Sequence, residues 1–349
     1  MLMLRDSKNK VLEFKNDLNK IAELGWKEFR TRDYVLGKLG GDFVWSDKTA
    51  LVYKIGEGVP IFFRAELDAL NTVSGPKHIC GHSSHLSALM ATYLYLKENP
   101  IQGYSIYFVF QPSEESYPSG AEFISKNFPE IRKCQAGFAF HTMPKYKAGE
   151  LADPTFAFAD YFEIKIKGKA THIKYKNENK VDALLVGAEL LQSINKKRNK
   201  DFIINAGSFS GGDVPNKIAG EAKLSGDVRG FDPKYSKIGK DFLKKICADI
   251  QKKYPGINVS LYHNPSCPSF KNDIKISYGL KRVLGVKKDF KSFGTEDFSH
   301  YPVRKGFLLI GTGRKEELHS DNFFVPDAVT LKIFDNWLKI SQNLDLIVG

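Results

Sequence analysis

Side chains that bind transition metals are concentrated in two short stretches of this sequence. Cys80 and His82 lie on either side of Gly81, and Glu114 is followed directly by Glu115. Thiolate, imidazole and carboxylate are the ordinary protein ligands of zinc, and imidazole with carboxylate also suits manganese or cobalt. Two adjacent carboxylates repel each other unless a cation offsets them, which favours one glutamate as a metal ligand and the other as a general base.

The stretch around Cys80 also predicts a local geometry. In an extended segment Cys80 and His82 would face the same side, because alternate residues of a strand share a face. Apolar residues recur at helical spacing from Leu86 to Leu94, with Ser83 and Ser84 available as caps. A helix that begins just after Cys80 would favour its thiolate through the helix dipole.

Other candidate ligands follow short apolar runs that are typical of buried strands. The runs at 61–65, 104–111, 136–140 and 306–311 are too short for helices and too continuous for half-exposed strands, so they predict a largely parallel sheet. In open α/β sheets, ligands bind beyond the carboxyl ends of the strands. The residues that follow these runs are Glu66, Asp68, Glu114, Glu115, His141 and His319.

Most of these residue types have an ordinary structural role when they occur alone. The glutamate pair could form the first turn of a helix, and His141 could be a buried core histidine. For Cys134, Cys247 and Cys267 we accept a role as small apolar side chains. We assign His78, His85, His263 and His300 to structure or to the support of ligands. The convergence of several strand ends is what favours a metal site.

The pattern of the chain changes in its middle third. The first part alternates apolar runs with helical patterns, which is typical of α/β folds. From about residue 157 the order becomes strand, helix, strand, strand, helix, strand, which is the ferredoxin-like arrangement. The sequence therefore predicts a discontinuous α/β catalytic domain with helices on both faces of its sheet, over 1–156 and 265–349, and an inserted α+β domain over 157–264.

Composition and charge favour a small-molecule enzyme in the cytoplasm. The net charge is +12, but the lysines are spread along the whole chain, so we favour a solvated surface over nucleic acid or lipid as a partner. No apolar stretch approaches the roughly 20 residues that cross a bilayer, and MLMLRDSKNK carries no visible secretory signal. The four cysteines show no paired spacing, and the cytosol would keep them reduced.

A series of motifs along nearly the whole chain resembles one known family. It is similar to the aminoacylase and carboxypeptidase family of co-catalytic metallopeptidases, in the amidohydrolase branch that includes hippurate hydrolases, N-acetyldiaminopimelate deacetylases and auxin-conjugate hydrolases. The order and spacing of the motifs make the resemblance specific. They are ELGWKEFRT at 23–31, RAELDAL at 64–70, HICGH at 78–82, FQPSEE at 110–115, HTMP at 141–144, GKATH at 168–172, NKIAGEAKLSGDVRGFD at 216–232, FGTEDFSHY at 293–301 and LHSDNF at 318–323.

The resemblance implies a role for each matching residue. His172 would steady the tetrahedral oxyanion in a partner subunit's active site, which implies a homodimer formed through the inserted lid or dimerisation domain. Asn216 and Arg229 would hold the substrate carboxylate, and Asp68 would support the ligands. Glu114 would be the general base. The ligands of two divalent ions, with zinc first and manganese or cobalt as alternatives, would be Cys80, His82, Glu115, His141 and His319.

Several positions depart from the pattern of the branch. Ser83 replaces the usual aspartate, Glu66 replaces the first aspartate of its motif, and Asn71 replaces a proline. Asn19 stands where the N-terminal motif has a histidine, and Tyr175 with Lys176 replaces a proline–histidine pair. None of these positions is a proposed ligand or the base, but supporting residues tune metal affinity and substrate choice. The identity of the substrate is therefore left open.

The predicted reaction is the removal of an N-acyl group from an amino acid, by metal-activated water with Glu114 as base. A dipeptidase or carboxypeptidase of the same family is the first alternative, and it would have to accommodate a free amine or a longer peptide. A non-catalytic protein that binds amino acids or peptides is the second. Glu114 argues against the second, because binding alone needs no base.

Overall fold

The computed structural model describes residues 2–175, 181–196 and 200–349, so Lys176 lies outside the described residues. The chain forms two compact units. The first unit comprises 1–155, 271–291 and 297–349, and the second comprises 156–270 and 292–296. The division into 1–156 with 265–349 and 157–264 as catalytic and inserted domains stays a prediction, because compactness alone assigns no role.

The described residues form strands and helices in alternation along most of the chain. The strands are β1 (Phe43–Asp47), β2 (Ala50–Ile55), β3 (Val59–Glu66), β4 (Leu70–Thr72), β5 (Gly75–Lys77), β6 (Tyr104–Gln111), β7 (Ala136–Met143), β8 (Leu151–Phe156), β9 (Phe158–Lys167), β10 (Thr171–His172), β11 (Phe202–Gly211), β12 (Lys217–Ile218), β13 (Glu221–Gly230), β14 (Asn258–Cys267), β15 (Phe270–Lys271), β16 (Lys288–Ser292) and β17 (Arg304–Gly311). The helices are α1 (Leu2–Leu18), α2 (Phe29–Leu39), α3 (His82–Glu98), α4 (Gly120–Asn127), α5 (Ala183–Asn195), α6 (Lys234–Lys253), α7 (Ile274–Leu284), α8 (Asp327–Ser341) and α9 (Leu344–Val348), with short 3₁₀ helices η1 (Pro129–Lys133) and η2 (Asp297–His300).

The main sheet of the first unit runs in the order β1-β2-β6-β3-β7-β17-β8-β15, with β16 paired to β8. Its four central strands, β6, β3, β7 and β17, are mutually parallel, whereas β1, β2 and β8 join it antiparallel. The four apolar runs of the sequence analysis are these central strands. The prediction of a mostly parallel α/β sheet is confirmed.

Both faces of the central strands are covered, as continuous apolar runs require. Neighbouring residues of β3 point to opposite faces of the sheet. Phe63 stacks on Trp337 of α8, with ring centroids 4.5 Å apart. Phe62 packs instead on Phe298 of η2 and on Tyr301, at 5.7 and 4.8 Å.

Helix α3 begins at His82, ahead of both predicted caps. Its N-cap is Gly81, with φ of 93°, and no side chain caps its first turn. Ser83 and Ser84 lie inside the helix and are buried, so the prediction that they cap it is wrong. Ser84 Oγ instead accepts a hydrogen bond from Thr330 Oγ1 of α8, at 3.0 Å. A glycine fits the N-cap because its φ is positive.

The second unit is built on a four-stranded sheet in the order β11-β13-β9-β14, antiparallel throughout. With α5 between β9 and β11, and α6 between β13 and β14, this is the predicted ferredoxin-like arrangement. Phe162, Ile164 and Ile166 alternate along β9 into the core that α5 and α6 complete, whereas Glu163 and Lys165 face away from it. The second half of the fold prediction is confirmed.

Among the described residues, no helix combines the length and the apolar character needed to span a bilayer.

Candidate metal centre

The five predicted ligands come from four separate segments of the first unit. Cys80 lies in the turn between β5 and α3, and His82 is the first residue of α3. Glu115 follows β6, His141 lies within β7, and His319 lies between β17 and α8. The carboxyl ends of β6, β7 and β17 and the amino end of α3 therefore share one edge of the sheet.

The donor atoms of these residues lie within contact distance of one another. Cys80 Sγ lies 3.2 Å from His141 Nε2 and 3.3 Å from His319 Nε2. His319 Nε2 also lies 3.2 Å from Glu115 Oε1. His82 Nε2 lies 4.0 Å from that same oxygen. The structure thus brings together all five side chains that the sequence nominated.

Glu114 also lies next to His82. Its Oε2 atom is 3.7 Å from His82 Nε2, and its side chain is 12% exposed. The following residue, Glu115, donates its backbone N–H to Asp68 Oδ2 at 2.9 Å. Both glutamates therefore lie close to His82, and Glu115 also contacts His319.

Two of the histidines are oriented as metal ligands usually are. His82 Nδ1 contacts the carbonyl oxygen of Asp68 at 2.9 Å, and His141 Nδ1 contacts that of Thr142 at 2.8 Å. A carbonyl oxygen only accepts, so each Nδ1 carries a proton, and Nε2 is the ring nitrogen left to bind a cation. Both Nε2 atoms point toward the cluster, and a partner for the second ring nitrogen is typical of ligating histidines.

The donor set fits divalent cations. His82 Nε2 and Asp68 Oδ1 are buried and have no hydrogen-bond partner among the described residues, which is costly in a protein interior. Three overlapping groups have donor atoms within 4.8 Å of one another, and the first two share Cys80. They are Cys80 with His82 and His141, Cys80 with Glu115 and His319, and His82 with Glu114 and Glu115.

Burial and neighbouring carboxylates shift the pKa values of Cys80 and His82. Burial, with Glu115 and Glu114 close by, raises the pKa of the Cys80 thiol well above its ordinary value. The expected lowering by the dipole of α3 is therefore outweighed in the metal-free protein. Burial lowers the pKa of His82, but Glu66, Asp68 and Glu115 outweigh it and raise that pKa to about 10. A cation in the cluster would favour the thiolate instead.

Burial and nearby charges also act on the remaining members of the cluster. Burial, helped by His85, lowers the pKa of His141 to about 3, so this imidazole is neutral and available as a ligand. For Glu115, burial raises the pKa but His319 and His82 outweigh it, and the pKa falls to about 2. Glu115 is therefore ionised, as a carboxylate ligand must be.

The Cys80 turn reaches His141 because Gly81 has no side chain. A Cβ atom at Gly81 would lie 2.3 Å from Thr142 Oγ1, and its φ of +93° is one that other residues rarely adopt. The segment is therefore a turn that leads into α3, and the expectation of an extended Cys80–His82 segment is wrong. The two side chains converge because the turn folds them onto the same cavity.

The loop that carries Glu114 is held by contacts from the N-terminal region. Glu28 is fully buried and accepts the backbone N–H of Ser113 at 2.8 Å and the hydroxyl of Thr49 at 2.8 Å. Ser113 has a positive φ of 48°. A Cβ atom at Gly120 would lie 1.7 Å from Pro112 O, so α4 can begin only at a glycine here. Helix α4 starts at Gly120, so the glutamate pair is not a helix first turn.

His319 is placed by its backbone. Its N–H donates to Ile79 O at 3.0 Å, directly before Cys80. Its φ is +67°, which is uncommon for a residue other than glycine. Such backbone strain is usually retained where function requires it.

A buried polar network that the sequence analysis missed runs behind the ligands. Arg64 is fully buried and donates to Glu66 Oε1, to Gln111 Oε1 at 2.8 Å and to Asp297 Oδ1. Glu66 Oε2 in turn contacts His85 Nδ1 at 2.9 Å. Arg64 and Glu66 stand in the RAELDAL motif and Asp297 in FGTEDFSHY, but sequence alone does not show that they pair.

Three other predicted site residues lie in the second unit. His172 lies in β10, and Asn216 Nδ2 is 3.4 Å from its Nε2 atom. Arg229 donates to Asp227 Oδ2 at 2.9 Å and to Phe293 O at 2.8 Å, and its side chain is 31% exposed. His172 and Asn216 thus form a pair, whereas Arg229 is held by a neighbouring carboxylate and a loop carbonyl.

Comparison with known proteins assigns the family. Residues 62–343 match the family described as Peptidase family M20/M25/M40. The chain belongs to this family. Its relatives include a deacetylase and a carboxypeptidase. The protein is accordingly a metal-dependent hydrolase of amide bonds.

Two relatives and one solved structure illustrate how similar the chain is to known members of the family. An N-acetyldiaminopimelate deacetylase from Listeria innocua is 31% identical over 276 residues, 70% of this chain and 73% of the relative. Thermostable carboxypeptidase 1 from Saccharolobus solfataricus is 25% identical over 366 residues, 93% of each. A dinuclear metal-binding M20 peptidase from Bacillus subtilis superimposes with a TM-score of 0.84 at 22% identity, over 98% of this chain and 99% of that one. This last likeness shows the fold.

Proposed function

We propose that this M20 chain removes the acyl group from an N-acylated amino acid by hydrolysis of its amide bond. The convergence of Cys80, Glu115 and His319 from three distant segments is the observation that carries the proposal, with Nε2 of His319 within 3.3 Å of both the thiol sulfur and the carboxylate. A buried thiol, a histidine and a carboxylate meeting in this way have the composition of a transition-metal site.

We propose two divalent ions per chain, held by the two overlapping donor groups that share Cys80. Cys80, His82 and His141 would hold one, and Cys80, Glu115 and His319 the other. When bound, such ions lower the pKa of a water ligand from 15.7 to about 7 and polarise the substrate carbonyl. Zinc suits the thiolate best, and manganese or cobalt are the alternatives.

Glu114 would act as the general base. Its carboxylate lies 3.7 Å from His82 Nε2, close to the proposed ligands, and its side chain is 12% exposed. Glu114 would accept a proton from the attacking water and deliver it to the leaving nitrogen, so that one residue serves both half-reactions. Asp68 would support the site, because its carbonyl orients His82 and its carboxylate holds Glu115 N–H.

The second unit would complete the active site of a partner in a homodimer. His172 lies in the second unit with Asn216 beside it, and we propose that it donates a hydrogen bond to the oxyanion formed in the partner's site. Asn216 and Arg229 would hold the substrate carboxylate. Arg229 would have to bind the substrate with its remaining N–H groups, because it already donates to Asp227 Oδ2 and to Phe293 O.

The relatives support two substrate classes. The deacetylase name of several relatives favours an acyl group on the amino acid nitrogen. The carboxypeptidase relative, which matches over 93% of the chain, favours a peptide instead and is the second candidate. The departures at Ser83, Glu66 and Asn71 would alter the choice among substrates rather than the chemistry.

A cytoplasmic location is part of the proposal. All four cysteines are free thiols in the structure, including the candidate ligand Cys80. A reducing compartment would keep them so, and a ligand thiolate must not be oxidised.

A substrate screen tests the proposal. The purified full chain, reconstituted in turn with zinc, manganese and cobalt, is offered N-acetyl and N-benzoyl amino acids beside dipeptides with a free amino group. Release of free amino acid from the N-acyl substrates is the expected result. Hydrolysis of dipeptides alone would favour the carboxypeptidase or dipeptidase, and hydrolysis of neither with any metal would overturn the proposal.

A further inference from the structure

Thr142 is fully buried next to the candidate ligands, and all three of its polar groups contact residues of the centre. Its hydroxyl donates to Cys80 O at 3.0 Å, and its carbonyl oxygen contacts His141 Nδ1 at 2.8 Å. Its backbone N–H donates to His85 Nε2 at 3.0 Å. One residue therefore holds the backbone of one candidate ligand and the ring of another.

The hydrogen bond from the Thr142 hydroxyl fixes the distance between the Cys80 turn and β7, which no secondary-structure hydrogen bond fixes. Cys80 lies in the turn before α3, whereas His141 and Thr142 belong to β7, so no ladder hydrogen bond joins them. The contact from Thr142 Oγ1 to Cys80 O joins the two segments directly, beside the 3.2 Å approach of Cys80 Sγ to His141 Nε2. Gly81 admits this contact because a Cβ atom there would lie 2.3 Å from the hydroxyl.

The backbone of Thr142 is itself anchored by the buried network. His85 Nδ1 contacts Glu66 Oε2 at 2.9 Å, so Nδ1 carries the proton and Nε2 accepts the N–H of Thr142. Arg64 in turn holds Glu66. Thr142 is thus supported from behind by side chains that are at least 98% buried.

We propose that Thr142 is a positioning residue of the metal centre, whose hydroxyl holds Cys80 at the distance from His141 that a shared cation requires. The inference rests on the proposed metal centre and does not depend on the substrate. Partners behind the ligands fix their orientation, and their loss commonly costs about 10- to 100-fold in metal affinity. The hydroxyl itself touches neither substrate nor reacting atoms.

Substitution Thr142→Val removes the hydroxyl and keeps the shape, and Thr142→Ser keeps the hydroxyl. The matched control is Thr92→Val, because Thr92 is also fully buried and its hydroxyl also donates to a backbone carbonyl, Ala88 O at 2.7 Å. It lies in the middle of α3, away from the ligands. Both valine variants lose one buried hydroxyl hydrogen bond, and the Tm of each metal-free variant is measured so that a loss of stability is separated from a loss of metal affinity.

The test is a cobalt titration of the metal-free full chain, with a chelator as competitor. Absorption from thiolate-to-cobalt charge transfer reports the bond to Cys80, and the Cys80→Ser variant gives the background. We expect Thr142→Val to bind cobalt about 10- to 100-fold more weakly with an altered thiolate band. Thr142→Ser and Thr92→Val should both resemble the wild type.

Each contrary result has a distinct meaning. Wild-type affinity and an unchanged band in Thr142→Val would overturn the role of the hydroxyl, as would equal losses in Thr142→Val and Thr92→Val. If Thr142→Ser loses as much cobalt affinity as Thr142→Val, or if neither variant folds, the effect belongs to the methyl group. That result would also overturn the role of the hydroxyl. A wild type that binds no cobalt would overturn the metal centre and this role together. If the wild-type protein binds cobalt but cleaves no amide, only the proposed reaction is contradicted, and the role of Thr142 is still decided by the cobalt titration.

Discussion

Cys80 Sγ lies 3.3 Å from His319 Nε2, although 239 positions separate the two residues in the chain. The backbone bond from His319 N to Ile79 O brings the two segments together one residue before the cysteine. The cluster therefore depends on contacts between the first and the last of the three chain segments that form the first unit, and it can form only once these segments have come together. An ion bound there would stabilise the folded state over the unfolded one.

Substitution of Glu114 by glutamine should separate chemistry from metal binding. Glu114→Gln keeps the size of the side chain but removes the base, so we expect kcat to fall by about 10²- to 10⁴-fold with metal content unchanged. Elemental analysis and steady-state kinetics measure the two effects. Glu122→Gln, on a half-buried glutamate of α4 that pairs with Lys126, is the control and should have wild-type kinetics. Substantial activity in Glu114→Gln would remove Glu114 as the base.

Two buried cysteines of the first unit offer a matched pair for the ligand assignment. Cys80 and Cys134 are each 5% exposed, but only Cys80 contacts histidine nitrogens. We expect Cys80→Ser to lose at least one ion per chain and most activity, because a neutral hydroxyl is a far poorer zinc ligand than a thiolate. Cys134→Ser should keep its full metal content. Equal metal content in both variants would exclude Cys80 as a ligand.

The proposed role of His172 in a partner's site can be tested by mixing two inactive variants. His172→Ala should lower kcat by about 10²-fold or more, as expected for the loss of an oxyanion donor. Refolded together in equal amounts, Glu114→Gln and His172→Ala chains should regain about a quarter of the wild-type activity, because half of the dimers are mixed and each has one complete site. No recovery in dimers that demonstrably exchange subunits would place His172 in its own subunit's site or outside catalysis. Tyr175→Phe, three residues away, serves as the control for His172→Ala.

The metal-free protein should lose stability as the pH rises. Burial lowers the pKa of His82, but Glu66, Asp68 and Glu115 outweigh it and raise that pKa to about 10, against 6.5 for an ordinary histidine. The folded state thus keeps a proton that the unfolded state releases. Its stabilising effect is complete below pH 6.5 and is lost as the pH rises toward 10.

Thermal unfolding of the chelator-treated protein at pH 6.5 and at pH 9.5 measures this effect. We expect a lower Tm at the higher pH and a smaller difference in His82→Gln, which lacks the titrating group. The metal-loaded protein should show less of this loss, since a ligating histidine is already neutral. A metal-free Tm that is the same at both pH values, or an unaltered difference in His82→Gln, would contradict the account of His82.

The central strands were predictable because strands that are buried on both faces consist almost entirely of apolar residues. Runs such as 104–111 are continuously apolar, and β6 covers the same residues, since a strand enclosed on both faces has no polar side. The first strand of the second unit was predictable from the alternation along β9, where Phe162 and Ile164 face the core and Glu163 faces away, and the ferredoxin-like arrangement followed from the order of strands and helices after it. Local pattern sufficed in both cases.

The details of the site were harder to predict from the sequence, because they depend on backbone conformation and on contacts between residues far apart in the chain. Ser83 and Ser84 are good capping residues, but the positive φ of Gly81 let α3 begin at His82 and enclosed both serines. Thr142 could not be recognised as a candidate, since its function depends on the approach of β7 to the Cys80 turn, 62 positions away. Arg64 and Asp297 are separated by 233 positions and reveal their pairing only in the fold.

Anomalous diffraction from crystals of the zinc-loaded chain tests the metal centre most directly. Data collected on either side of the zinc absorption edge locate the ions without reference to activity. We predict two peaks per chain, one among Cys80, His82 and His141 and one among Cys80, Glu115 and His319. A single peak, or peaks away from Cys80, would contradict the two-ion centre proposed for this chain.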